Sequence, residues 1–207
     1  KAKDIYHQGD RRHVLMMVDM YGVDVRPTNG KEAGAAASSV RGDRGMMRAR
    51  AAKALEVFRA EGSKVGLDPN RIAAIGFCFG GGTVLELGRA GADLDLIASF
   101  HGDLLSPTLA EDASNTKAKV LVLHGADDPY VPQDHVQEWV ATMRGTDVDW
   151  QLIQFADTVH SFTDPNAASD GARFQPRSNR RAMAMLQAQL AEIWDNGAAF
   201  RAYRGVD

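Results

Sequence analysis

The single cysteine of the chain, Cys78, stands in Gly76-Phe77-Cys78-Phe79-Gly80-Gly81-Gly82, directly after an apolar run. The spacing Gly-x-Cys-x-Gly suits a nucleophile carried on a tight strand-to-helix turn, where flanking side chains would clash. At the start of a helix the dipole favours thiolate over thiol and draws the ordinary thiol pKa of about 8.5 downward. The thiolate is the attacking form, and the backbone N–H of Phe79 would then face the oxyanion that forms on an attacked carbonyl. A free cysteine standing alone is more often a small buried hydrophobe.

Two further segments give Cys78 partners. His124-Gly125-Ala126-Asp127-Asp128-Pro129-Tyr130-Val131-Pro132 follows one apolar run, and Ala156-Asp157-Thr158-Val159-His160-Ser161-Phe162 follows the next. The chain order is nucleophile, acid, histidine, and each member follows a different strand, so three loops can meet at one sheet edge. His160 would take the thiol proton and return one to the leaving group, while a buried carboxylate fixes its tautomer. Asp127 and Asp128 are adjacent and face opposite ways in an extended loop, so only one can reach His160; the reading favours Asp128. His101 and His124 each follow a strand and precede a glycine, and they read chiefly as partners of backbone groups. His7, His13 and His135 read as ordinary surface or helix residues.

These residues need a scaffold of parallel strands. Five apolar segments, Val14–Val18, Arg71–Ile75, Leu94–Phe100, Val120–Leu123 and Trp150–Phe155, alternate with helical patterns, the rhythm of a parallel sheet covered by helices on both faces. Met47, Ala51, Ala54, Leu55 and Phe58 fall at helical spacing with Gly62 as a stop, and Val136, Val140 and Met143 repeat the pattern after Pro132. Met183, Leu186, Leu190, Ile193 and Trp194 form a last amphipathic stripe. Asp68-Pro69-Asn70-Arg71 reads as a turn, and Thr163 to Asn179 as a long loop.

A chain of 207 residues with 44% hydrophobic and 25% charged residues suits a single globular domain spanning residues 1–207. The net charge of −3 offers no broad positive field, so neither nucleic acid nor an anionic membrane is expected as a partner. One cysteine and no Cys/His cluster at zinc spacing predict a reducing, cytoplasmic setting with no metal. Apolar runs such as Val14 to Val18 are far below the roughly 20 residues needed to span a bilayer.

Taken together, Gly76-Phe77-Cys78-Phe79-Gly80-Gly81, Ser99-Phe100-His101-Gly102, the segment His124 to Pro132 and Val159-His160-Ser161-Phe162 resemble the dienelactone hydrolase family of the α/β-hydrolase superfamily. The resemblance runs from about Asp19-Met20-Tyr21-Gly22 to Trp194. It implies an α/β-hydrolase fold, a triad of Cys78, Asp128 and His160, Phe79 as an oxyanion donor, and cofactor-free hydrolysis of a small-molecule ester or lactone. The family pattern of Gly, two residues, Asp and later Val-Pro selects Asp128 over Asp127.

Two departures qualify it. The family's second oxyanion donor and a glutamate that meets the cysteine come from a strand and loop ahead of the first helix, whereas this chain is expected to begin inside that helix. An N-terminally incomplete fold follows as an expectation, with a strand missing between Val14–Val18 and Arg71–Ile75. Asp164 also stands where the founding enzyme has an arginine for the substrate carboxylate, so the substrate-binding residues are unassigned; Arg173, Arg177, Arg180 and Arg181 are nearby cations. The alternative reading is a non-catalytic module that keeps the α/β-hydrolase architecture and binds a ligand in the same cleft. A role for Ser99 or Ser161 as a serine nucleophile comes third.

Overall fold

A computed structural model describes residues 13–194. Helix α1 (Gly30–Gly42) and helix α2 (Arg44–Lys64) precede strand β1 (Ala73–Phe77) and helix α3 (Phe79–Arg89). Strand β2 (Leu96–Phe100), the short helix α4 (Leu109–Asp112) and a 3-10 turn (Ala113–Asn115) follow. Strand β3 (Lys119–Gly125), helix α5 (Gln133–Met143), strand β4 (Trp150–Phe155) and helix α6 (Pro176–Trp194) complete the order. The four strands form one parallel sheet in the order β1-β2-β3-β4, with Gly76 beside Ser99, Ser99 beside Val122 and Val122 beside Leu152.

Successive strand residues face opposite sides of a sheet, and here both sides are apolar. Ile97, Val120 and Val122 face a layer that includes Val40, Met47, Leu85, Trp139 and Met143. Leu96, Ala98, Phe100, Leu121 and Leu123 face Phe162 and the Ala182, Met183, Leu186 and Leu190 stripe of α6. Strand β2 and most of β3 are thus covered on both faces while β1 and β4 are only partly buried, and all carboxyl ends point to one edge.

Strand β4 agrees with its expected bounds, while β1 runs two residues further along the chain and β3 extends through His124 and Gly125. Val14–Val18 is a correction. It is irregular backbone, with Met17 83% exposed and Val14 51% exposed. Among the described residues β1 pairs only with β2, so no neighbouring ladder is present to receive this segment's backbone groups. His13, Val14 and Leu15 instead line a groove of about 450 Å³ beside the free edge of β1, shared with Phe58, Ile72 and Trp194.

Helix α1 has too weak an apolar stripe to show in the hydrophobic pattern, but its start carries a readable signal. Asn29 accepts the N–H of Glu32 while Glu32 reaches back to the backbone N–H of Thr28, a reciprocal cap of the kind that opens helices. Gly62 lies inside α2 and packs close to Leu67 rather than ending the helix. The long loop stops earlier than expected, because Pro176 opens α6, a position where its missing N–H costs nothing.

A buried ionic cluster ties α2 and α3 to the segment after β2. Glu86, 1% exposed, accepts from Arg89 at 2.8 Å and from Arg48 at 2.7 Å; Arg48 also binds Asp112 at 2.6 Å. Burial alone would raise the Glu86 pKa, but the Arg89 and Arg48 cations outweigh it and hold the carboxyl below its usual value. Removing one partner of such a cluster leaves the others charged in a dry interior. Glu86→Leu is therefore expected to lose about 3–5 kcal/mol of stability, read as a lower urea midpoint at an unchanged slope.

Candidate active site

The turn after β1 is forced by contacts that admit no side chains. A Cβ on Gly76 would lie 1.9 Å from the Gly80 carbonyl oxygen, and one on Gly81 would lie 2.8 Å from the Gly102 Cα. Within that turn Cys78 adopts φ 53°, ψ −118°, a region that a residue with a side chain enters at a cost of about 1–3 kcal/mol. Among the described residues three other non-glycine residues have positive φ, namely His101, Asp157 and Ser161. All three lie beyond the carboxyl ends of β2 and β4. The Cys78 N–H is shared between the Phe100 carbonyl at 3.0 Å and His101 Nδ1 at 3.1 Å, and the Cys78 carbonyl accepts from Gly81 at 2.9 Å.

Cys78 is exposed, and its sulfur sits 3.0 Å from His160 Nε2. His160 Nδ1 in turn meets Asp128 Oδ2 at 2.7 Å. Asp128 is 3% exposed, and its other oxygen accepts the N–H groups of Tyr130 at 2.9 Å and Val131 at 3.2 Å. Its orientation is therefore fixed by its own loop. Asp127 faces elsewhere: its Oδ2 accepts the Thr158 N–H at 3.2 Å, anchoring the segment that leads to His160.

Of the two adjacent carboxylates, Asp128 is the one brought to His160. The loop after His160 supports it, since His160 N–H donates to the Gly171 carbonyl at 3.2 Å and Arg173 N–H to the His160 carbonyl at 3.0 Å. Asp164 is taken up by its own turn, accepting the Asn166 N–H at 3.1 Å. Arg173, Arg177, Arg180 and Arg181 are exposed, and Arg177 donates to the Ala156 carbonyl at 3.1 Å.

The electrostatics follow from this geometry. Burial pushes the Cys78 thiol up, but the hydrogen bond and charge of His160, the Phe79 N–H and the Arg41 charge together hold it below its ordinary value. For His160, burial works against protonation, but Asp128 and Cys78 outweigh it and push the pKa up to about 9. Both shifts favour the thiolate–imidazolium form of the pair, and the Phe79 N–H is directed at the sulfur. Such an arrangement can attack an electron-poor carbonyl carbon and supply a proton to what departs.

Sequence reasoning left out three side chains around this pair. The Tyr21 ring stacks on Phe79 at 5.7 Å, Arg41 lies 5.9 Å from the centre of the same ring, and Tyr130 meets His160 edge-on at 5.3 Å. Tyr21 and Tyr130 lie in motifs already singled out, whereas nothing in the sequence marks Arg41. His124 is fully buried, donates from Nε2 to the Val131 carbonyl at 3.0 Å, and is held below its usual pKa mainly by burial. It braces the Asp128 loop. His13 packs on Trp194, and His7 lies outside the described residues. Among the described residues no group of three or more His, Cys, Asp or Glu is placed to hold a metal, and no helix is long and apolar enough to cross a membrane.

A parallel sheet with helices on both faces, carrying a cysteine on a strained turn at the strands' carboxyl edge, defines an α/β hydrolase fold. The family model for the dienelactone hydrolase family matches residues 8–190, and the chain belongs to that family. It is similar to the crystal structure of a dienelactone hydrolase-like promiscuous phosphotriesterase, P91, from metagenomic libraries, with 38% identity, a TM-score of 0.77, and coverage of 84% of this chain and 72% of that one. An uncharacterized protein of Caenorhabditis elegans is 32% identical over 108 residues, 49% of this chain and 65% of the relative. A Salmonella typhimurium protein named "Putative carboxymethylenebutenolidase" is 25% identical over 107 residues, 48% of this chain and 40% of the relative. The chain thus matches between two fifths and two thirds of the length of these curated relatives.

The geometry assigns the two aspartates different work. Asp128→Asn is expected to slow alkylation of Cys78 by iodoacetamide at pH 7 by about tenfold or more, since one pKa unit is a tenfold change in thiolate population. Asp127→Asn keeps an acceptor for Thr158 and should leave that rate within about twofold of wild type.

Proposed function

We propose that this protein hydrolyses small carboxylic esters or lactones, with Cys78 as nucleophile, His160 as acid and base, and Asp128 as its orienting carboxylate. The observation that carries the reading is the unbroken hydrogen-bond chain from Asp128 through His160 to an exposed Cys78 sulfur, 2.7 Å and 3.0 Å long. A module that kept this turn only for packing would have no need to hold a strained, solvent-facing thiol against a histidine whose pKa is raised to about 9. Family membership supports the same chemistry, and cysteine at the turn favours it over a serine route through Ser99 or Ser161.

The Cys78 thiolate adds to the substrate carbonyl carbon, and the electron pair of the C=O bond moves to oxygen, facing the Phe79 N–H. Collapse of that intermediate breaks the C–O bond to the alkoxide, which takes the proton from His160 Nε2; in a lactone this alkoxide stays tethered to the acyl group. Neutral His160 then removes a proton from water, whose hydroxide attacks the thioester. Collapse breaks the C–S bond and releases the carboxylic acid, leaving the Cys78 thiolate beside the His160 imidazolium that formed when water gave up its proton. Asp128 stays ionised throughout, holding Nδ1–H and steadying the imidazolium. No metal or cofactor enters any of these steps.

Dienelactone itself is a weak fit, because Asp164 occupies the position from which the founding enzyme's arginine meets the substrate carboxylate. Uncharged short-chain aryl esters and simple lactones fit better. Cys78→Ala should lower kcat/KM on an aryl acetate by at least about 10³-fold; undiminished turnover would remove Cys78 from the mechanism. The wild-type pH profile of kcat/KM should rise as the thiolate forms below the ordinary thiol range. It should fall near pH 9, where His160 loses the proton that the leaving group needs.

A further inference from the structure

His101 stands outside the reacting trio, yet it touches both halves of it. Its ring lies at the end of β2, where φ is 40°, and Nδ1 accepts the Cys78 N–H at 3.1 Å. An accepting Nδ1 carries a lone pair, so the ring proton sits on Nε2, where Thr163 Oγ1 receives it at 2.9 Å. Thr163 is 2% exposed and follows His160 by three residues. The His101 ring also lies edge-on to His160, with centroids 5.0 Å apart.

We infer that His101 is a positioning residue that clamps the nucleophile's backbone to the histidine loop, acting as a neutral imidazole with an acceptor toward Cys78 and a donor toward Thr163. This rests on the proposed hydrolase reading but concerns the thiol, which can be measured without substrate. Two features make the clamp specific. The Cys78 turn is strained, so an extra acceptor on its N–H opposes relaxation of the sulfur away from His160 and the Phe79 N–H. A neutral ring also adds no charge beside the His160 imidazolium, whereas a lysine or arginine here would oppose its protonation.

The two hydrogen bonds can be separated by substitution. Asparagine puts a carboxamide oxygen near the Nδ1 position and tolerates the left-handed backbone; glutamine extends toward Thr163 but leaves no acceptor beside the Cys78 N–H. Cys78 is the only cysteine of the sequence, so thiolate absorbance near 240 nm and iodoacetamide alkylation report on it alone.

In His101→Ala and His101→Gln the thiolate titration should move to higher pH and alkylation at pH 7 should slow by about tenfold, the scale of one net hydrogen bond, while His101→Asn stays within about threefold of wild type. An unchanged titration in His101→Ala, or a loss in His101→Asn equal to that in His101→Gln, would overturn the clamp. Should the His101 variants fail to fold by circular dichroism, Thr163→Val carries the test. It removes only the far acceptor and should slow alkylation several-fold, and an unchanged rate overturns the inference. If wild type shows a low-pH thiolate that depends on His101 but turns over no ester, the hydrolase reading fails and the clamp stands.

Discussion

Everything at this site depends on one close approach, the passage of the turn after β1 across the end of β2. Gly81 and Gly102 run so near each other that neither has room for a Cβ, and Gly76 is equally hemmed in by the Gly80 carbonyl. Only with side chains absent there can the backbone turn sharply enough to leave Cys78 at φ 53° with its sulfur standing clear. The strain is sustained because the flanking elements are held independently. Strand β2 is buried along its length, and α3 is fixed by the Glu86, Arg89 and Arg48 cluster on its other side. The rigidity of the scaffold and the exposure of Cys78 are therefore one arrangement seen from two ends.

The electrostatic outcome is equally collective. No single neighbour makes Cys78 a thiolate, since its own partial burial opposes that. The lowering comes from His160 together with the Phe79 N–H and the Arg41 charge; the positive form of His160 is favoured by Asp128 and Cys78, and Asp128 is oriented by the Tyr130 and Val131 N–H groups. Each link is short, but only the hydrogen bonds that orient Asp128 lie within one loop; those from Asp128 to His160 and from His160 to Cys78 join separate loops. The three loops meet because the parallel sheet delivers every carboxyl end to one edge, so the fold acts on the chemistry through distance more than through any bulk property of the pocket.

Much of this was legible in the residues. Gly76-Phe77-Cys78-Phe79-Gly80 marked the turn, and the order of Cys78, Asp128 and His160 after successive apolar runs marked the edge where they meet. The run at Leu94–Phe100 read as a strand, which starts at Leu96, because a parallel strand buried on both faces is apolar throughout; Trp150–Phe155 read as one from its β-forming apolar residues although Gln151 and Gln154 are exposed. Val14–Val18 has the same composition but did not form a strand, because a strand exists only beside a partner and composition cannot report whether one is there. Helix α1 escaped for the opposite reason: its order comes from the Asn29–Glu32 cap and alanine content rather than an apolar stripe. The buried Glu86–Arg89 pair was invisible as well, since charges three apart on a helix usually point to water. Arg41 and the ring of His101 reach the site through tertiary contacts that no spacing encodes.

A solitary, exposed, low-pKa thiol also has a chemical vulnerability. Peroxide attacks thiolates in preference to thiols, and the first product, a sulfenic acid, is usually rescued by a second cysteine that closes a disulfide. Within these 207 residues there is none. Oxidation at Cys78 would therefore wait for a small thiol from solution or proceed to the irreversible sulfinic state. The same features that hold this thiol below its ordinary pKa thus tie the state of Cys78 to the redox poise of its surroundings.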